Sequence, residues 1–256
     1  FLVEFIYIKN KHLSMNNIYF NKMELNEFIS KNNIDLDKKF KKLCLEGINI
    51  MKKSKDPQHS INHINAIFDD LDKFIQEEKV NINYSILLPA ICWHDVWKSK
   101  KEQSSNLLFY IVEQFYDGYG SKLIFNKKVL KYKLNNKLQK KIAYSIHKHS
   151  LAASPFFKKF ELLFPIHYKE CKILRDLDTL YSWSPNAIDT FEKAYLYGSN
   201  PKGAYMIGVY WYKKVLQKTN ENQFYYNWSR NEFNKRKDEI KKRALTIIQS
   251  KKKYYK

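Results

Sequence analysis

Residues that make turns are scarce in this chain, which has only six glycines and six prolines among 256 residues. A β-sandwich needs a turn every few residues, so the scarcity disfavours an all-β fold and favours helices. The apolar fraction of 44% provides enough hydrophobic surface to offset chain entropy, which excludes a disordered chain. We therefore expect an all-α protein.

Apolar residues recur every three or four positions along most of the chain, the spacing that buries one face of a helix. The stretch 60–78 is the clearest case, with Ile64 and Phe68 on its stripe. Further helices are predicted at residues 36–53, 85–97, 104–116, 136–149, 168–182, 186–197, 203–217 and 229–250. Residues 117–135 contain Asp117-Gly118-Tyr119-Gly120 and are predicted to be a loop with a short element.

The chain is interpreted as one helical domain with an extension. Residues 31–200 are the predicted helical core, residues 1–30 an N-terminal segment of doubtful order, and residues 201–256 C-terminal helices that pack on the core. No apolar run approaches the roughly 20 residues that span a bilayer, so no membrane contact is expected. The three cysteines are far apart, which disfavours a disulfide framework or a thiolate zinc site and indicates a cytoplasmic protein.

The formal net charge of +20 would ordinarily suggest a nucleic-acid partner. The basic residues are nearly all lysines, and Asn, Ile, Tyr and Phe are abundant too, as AT-rich codons would produce. Arginine, which phosphate and base-edge readers favour, is rare. The charge is therefore interpreted as a solvated basic surface, and nucleic-acid binding is kept as the less favoured alternative.

Two acids fall where their helices should be buried. Asp95 lies four residues after Ile91 in the most apolar predicted helix, and Asp178 shares a stripe with Leu174 and Tyr181. A buried carboxylate costs several kcal/mol unless it is paired or binds a metal. An explanation by pairing or by a metal is therefore needed for both.

His94 lies next to Asp95 in the predicted helix 85–97, and His63 lies in the predicted helix 60–78. The two histidines could join the two acids around a divalent cation held between three helices. All four donors are nitrogen or oxygen, which favours Mn²⁺, Fe²⁺, Mg²⁺, Co²⁺ or Ni²⁺ with open water positions over a closed zinc site. The alternative interpretation is that each histidine is an ordinary core or surface residue. A single His-Asp pair carries little information, so the signal lies in the ordered set.

The ordered set resembles the HD-domain superfamily of metal-dependent phosphohydrolases. Residues 56–67 are similar to the family's first helix, and Ile86 to Val96, which contains His94-Asp95, to its signature helix. Residues 173–180 resemble its Asp-Ala-Asp-Arg-Leu segment, in which the second Asp is a ligand. The resemblance implies an all-α HD-domain helical bundle with a central metal ion, and a metal-bound water that attacks phosphorus. It implies the metal ligands His63, His94, Asp95 and Asp178.

Three further residues are candidates for a role beside the metal ligands. Lys98 matches a lysine that follows the pair in many family members and could hold a phosphate, or it is a surface lysine. His149 lies on an inward stripe and could contact the substrate phosphate, or it is a buried structural histidine. Glu102 could be a general base, although a solvated acid at a helix start is the better interpretation. Together with Asp95, Lys98 and His149 form the predicted catalytic set.

The sequence thus predicts a metal-dependent phosphohydrolase that cleaves a small phosphorylated substrate, either a phosphomonoester or a nucleotide-like molecule. The alternatives are a basic nucleic-acid-binding HD protein and a nucleotide sensor, neither of which turns its ligand over. The sequence does not specify the substrate, the metal or the oligomeric state.

Overall fold

The computed structural model describes residues 23–100, 106–150, 165–193 and 201–252, and no strand occurs in these ranges. The predicted all-α fold is confirmed for this part of the chain. The helices are α1 (Leu25–Lys31), α2 (Lys38–Met51), α3 (Ile61–Glu77), α4 (Tyr84–Trp93), α5 (Leu107–Val129), α6 (Asn136–Lys148), α7 (Lys169–Tyr181), α8 (Pro185–Phe191), α9 (Pro201–Trp211) and α10 (Asn227–Lys252). Three parts of these predictions lie outside the described ranges: residues 1–22 of the N-terminal segment, the candidate base Glu102, and residues 194–197 of a predicted helix.

Several helices begin where a side chain can accept a hydrogen bond from a free backbone amide. Asp37, Asn106 and Asn135 cap α2, α5 and α6, and each accepts from the amide two residues later. Ser184 caps α8, with proline at the first helical position. Such caps satisfy amides that the helix itself leaves unpaired, so local sequence sets these boundaries.

The short helix α4 lies at the centre of the core. Every residue from Ile86 to Trp93 is buried, as its apolar sequence predicts. It packs against α2, α3, α5, α6 and α7. The Trp93 indole N–H donates to the Leu43 carbonyl at 2.8 Å, which joins α4 to α2. A residue that follows α4 directly therefore enters the middle of the bundle.

The predicted loop at 117–135 is wrong: residues up to Val129 belong to the single long helix α5. Its two glycines make room for neighbours instead of making turns. A Cβ at Gly118 would lie 2.4 Å from the His147 carbonyl oxygen, and one at Gly120 would lie 2.5 Å from the Trp97 ring. Glycine lets α6 and Trp97 approach α5 closely, and neither glycine has a positive φ.

Both ends of the described chain pack on the core. Leu25 and Phe28 of α1 are buried, so α1 crosses the predicted boundary at residue 30 and its apolar side belongs to the core. In α10, Phe233, Ile240 and Ala244 form one buried face, as its charged sequence predicts.

None of the helices in the described ranges is both long enough and apolar enough to cross a bilayer.

Candidate metal centre

Three separate segments bring the four predicted ligands together. His63 lies in the first turn of α3, and Asp178 lies in α7. His94 and Asp95 follow the end of α4 at Trp93 in a turn, whereas the sequence predicted that they lie within the helix. One donor atom from each of the four residues lies within 4.8 Å of all the others.

The donor atoms are spaced as neighbouring ligands of one ion would be. His63 Nε2 and His94 Nε2 are 2.9 Å apart. Asp95 Oδ2 is 3.3 Å from His63 Nε2 and 3.1 Å from His94 Nε2. Asp178 Oδ1 is 3.1 Å from His63 Nε2 and 3.7 Å from His94 Nε2. Ligand bonds of about 2.1 Å place adjacent donors roughly 3.0–3.4 Å apart in octahedral or tetrahedral geometry, close to four of these five distances. The fifth, between Asp178 Oδ1 and His94 Nε2, is longer.

The His94 ring is fixed by its other nitrogen. His94 Nδ1 donates to the Ile91 carbonyl at 2.7 Å, so Nε2 can present its lone pair to the cluster. The imidazole is fully buried, and the His63 ring packs edge-on to Tyr181 at 4.2 Å. Both rings are therefore held in place before any ion binds.

The pKa values reflect mutual stabilisation of opposite charges. Burial alone would lower the pKa of His94, but the carboxylates of Asp95 and Asp178 raise it well above its usual value. Burial alone would raise the pKa of Asp178, but hydrogen bonds from His63 and His94 lower it. Without an ion, a proton on His94 helps to balance the buried carboxylates, a role that a divalent cation would take over.

The donor set therefore fits a divalent cation. Two imidazoles and two carboxylates offer nitrogen and oxygen only, and the three cysteines are buried elsewhere. The two negative charges of the carboxylates balance the charge of a divalent cation. This balance matters because a buried charge without a partner is costly. Asp178 is the most exposed of the four, with 20% of its side chain accessible, so it marks the side of the cluster that faces the cavity.

A small cavity adjoins the cluster on the Asp178 side and has a volume of about 90 Å³. The polar residues Gln58, His59 and Lys98 line it, and so do the aromatic residues Tyr110 and Trp211. A ligand in the cavity would therefore meet a cationic side chain, metal ligands and aromatic side chains.

The two other predicted catalytic residues also lie beside the cluster. His149 Nδ1 donates to the Ile146 carbonyl at 2.6 Å, and Nε2 lies 3.5 Å from Asp95 Oδ1. Burial alone would lower the pKa of His149, but hydrogen bonds to Asp117 and Asp95 raise it to about 9. Lys98 lines the cavity and pairs with Asp117, so it is not a free surface lysine.

Sequence reasoning missed Asp117 and the pair formed by Asp56 and His59. Asp117 was assigned to a loop, although Asp117, Ser121 and Phe125 share a helical stripe that the structure buries. His59 lies one turn before His63, and its Nδ1 is 2.7 Å from Asp56 Oδ2. The spacing of the two histidines was the available signal, but no pattern in the sequence links His59 to Lys98.

Comparisons with known proteins return no relative. No protein-family model, no curated protein and no solved structure matches the chain.

Proposed function

We propose that the protein is a metal-dependent phosphohydrolase of the HD type, acting on a phosphomonoester or a nucleotide-like substrate. The observation that carries the proposal is the convergence of donor atoms of His63, His94, Asp95 and Asp178 within 4.8 Å, beside a cavity that three of them line. The same four residues, in the same order along the chain, are those that the HD resemblance implies.

Each ligand has a separate task in this proposal. A divalent ion, when bound, supplies a water of lowered pKa and neutralises a phosphoryl oxygen. His63 and His94 would hold the ion through rings that packing and the Ile91 carbonyl keep in place. Asp95 would be a further ligand, and its Oδ1, 3.5 Å from His149 Nε2, could orient a water.

The charge in the cavity favours a phosphorylated ligand. Lys98 lines the cavity with 12% of its side chain accessible. Its ammonium group can contact a phosphate oxygen as a point charge. Tyr110 and Trp211 also line the cavity, and their aromatic side chains would suit a substrate with a planar ring. A nucleotide-like substrate would offer a phosphate to Lys98 and a base to these side chains.

The test is elemental analysis of the purified protein, followed by a phosphatase screen with Mn²⁺, Fe²⁺, Mg²⁺, Co²⁺ and Ni²⁺. We expect Asp95→Ala to abolish metal content and turnover while a weakened fold survives. The matched control is Asp72→Asn, which changes another buried aspartate that pairs with Lys31 on the surface. Unchanged hydrolysis in Asp95→Ala would overturn the proposal, and a bound nucleotide without product would favour a sensor.

The nucleic-acid alternative makes a different prediction. Binding carried by the +20 charge would weaken steeply as salt is added, and it would survive Asp95→Ala. Absence of binding to RNA and DNA at low salt would reject this alternative.

A further inference from the structure

A second group of donors adjoins the first and shares one residue with it. Asp95, Asp117 and His149 are all buried, and donor atoms from the three lie within 4.8 Å of one another. Asp95 Oδ2 faces His63 and His94, while Oδ1 lies 3.5 Å from His149 Nε2. One carboxylate therefore separates two neighbouring positions for a cation.

The second position already has a cationic side chain beside it. The Lys98 ammonium lies 2.9 Å from Asp117 Oδ2 and 3.1 Å from His59 Nε2. Asp117 Oδ1 is buried and has no hydrogen-bond partner among the described residues. Asp117 is thus a buried carboxylate whose partnered oxygen, Oδ2, lies 2.9 Å from the Lys98 ammonium and 3.7 Å from His149 Nε2. A metal ion would also find ligands at this place.

We infer that Lys98 acts as a built-in second cation, so that the centre holds one divalent ion and Asp117 pairs with lysine instead of with a second metal. This inference deepens the proposed function and rests on the first metal site. Charge balance supports it, because one divalent ion and one ammonium neutralise Asp95, Asp178 and Asp117. A second divalent ion beside the charged Lys98 would leave excess positive charge in a buried site.

The two sides of Asp95 would then have different tasks. An ion held on the Oδ2 side would supply the activated water, and Lys98 on the other side provides a fixed charge for the phosphate. Asp117 keeps the ammonium in place, and His59 contacts it from the cavity wall. Lys98 is therefore expected to restrict the centre to a single metal ion.

The experiment measures Mn²⁺ stoichiometry by equilibrium dialysis for the wild-type chain, Lys98→Met and Lys98→Arg. We expect one equivalent for the wild type and for the charge-conserving Lys98→Arg, and two for Lys98→Met. In Lys98→Met, electron paramagnetic resonance should show two coupled Mn²⁺ ions bridged by Asp95. The double variant Lys98→Met/Asp117→Asn should return to one equivalent, because the second ion would lose Asp117 as a charged ligand.

Two equivalents in the wild type or in Lys98→Arg would overturn the inference, and so would one equivalent in a folded Lys98→Met. If Lys98→Met does not fold because Asp117 is left unpaired, the wild type and Lys98→Arg can still overturn the inference, since two equivalents in either would contradict it. Failure of the proposed function looks different. The wild type would then bind no Mn²⁺, whereas two equivalents would leave a metal-dependent hydrolase intact and remove only the role given to Lys98.

Discussion

Two aspartates on α7, only two residues apart, serve different parts of the molecule. Asp178 faces His63 and His94 at the metal centre. Asp176 points about 200° away around the helix and accepts the backbone N–H groups of Tyr225 and Tyr226, each at 3.0 Å from Oδ2. One side of α7 thus carries a ligand, and the other fastens the segment that leads into α10.

The comparison shows that burial alone does not identify a functional carboxylate. Asp176 is 1% exposed, whereas 20% of the Asp178 side chain is accessible. Burial raises the pKa of Asp176 to about 7, against the hydrogen bond from Tyr226. At Asp178 the opposing hydrogen bonds from His63 and His94 win, and the pKa falls below its usual value. The groups that face each carboxylate decide its role.

The largest expected effect separates the two aspartates by metal binding. Asp178→Ala should weaken Mn²⁺ binding by more than about 100-fold, beyond what loss of an outer partner of a ligand causes, because a direct ligand is removed. Asp176→Ala should keep the wild-type stoichiometry at saturating Mn²⁺. Dialysis followed by elemental analysis measures both. Wild-type affinity in Asp178→Ala would show that the residue is not a ligand.

The next effect is on folding stability, for which Asp176 is expected to matter more than Asp178. Asp176→Ala should lower the free energy of unfolding by about 3–5 kcal/mol, because two backbone N–H groups lose their acceptor and stay buried. Asp176→Asn, which keeps one acceptor oxygen and the volume, should lose less. Urea unfolding of the metal-free proteins gives the values. Equal stability of wild type and Asp176→Ala would show that this contact does not fasten the C-terminal segment.

The metal centre should also make stability depend on pH. The folded pKa of His149 is raised to about 9 from the ordinary 6.5, so its contribution is complete below pH 6.5 and is lost as pH rises to 9. The metal-free protein should lose about 3 kcal/mol over this range. A bound ion neutralises Asp95 and should flatten the slope, as should His149→Gln. An equal slope with and without Mn²⁺ would contradict this origin.

Most of the fold could be predicted from periodicity. The helices predicted at 36–53, 60–78, 136–149 and 168–182 are observed within about two residues of those bounds. Residues 117–129 were missed, because Gly118 and Gly120 indicate turns locally while their use is close helix packing. A requirement for space comes from a neighbour distant in the sequence, and the local pattern does not contain it.

The candidate site was predictable to a similar extent and for similar reasons. Helical phase placed Asp95 and Asp178 inward, and the structure brings them together with His63 and His94. The partners of Asp176 were not predictable, because they are backbone amides about fifty positions away, and backbone groups leave no mark in a sequence. The two aspartates of α7 could be assigned to different faces, but only the tertiary structure shows what each face meets.

The smallest expected effect concerns the contact between Arg175 of α7 and Tyr225, and it tests whether this contact influences the metal centre. Arg175 Nη1 donates to the Tyr225 hydroxyl at 2.8 Å, and the guanidinium also lies over the Tyr225 ring at 5.2 Å. Tyr225→Phe removes the hydroxyl and keeps the ring, so the free energy of unfolding should fall by only about 1 kcal/mol, with Tyr225→Ala losing more. Mn²⁺ affinity should stay at the wild-type value. A clear drop in affinity for Tyr225→Phe would mean that this contact is coupled to the metal centre through α7, where Arg175 lies three residues before Asp178.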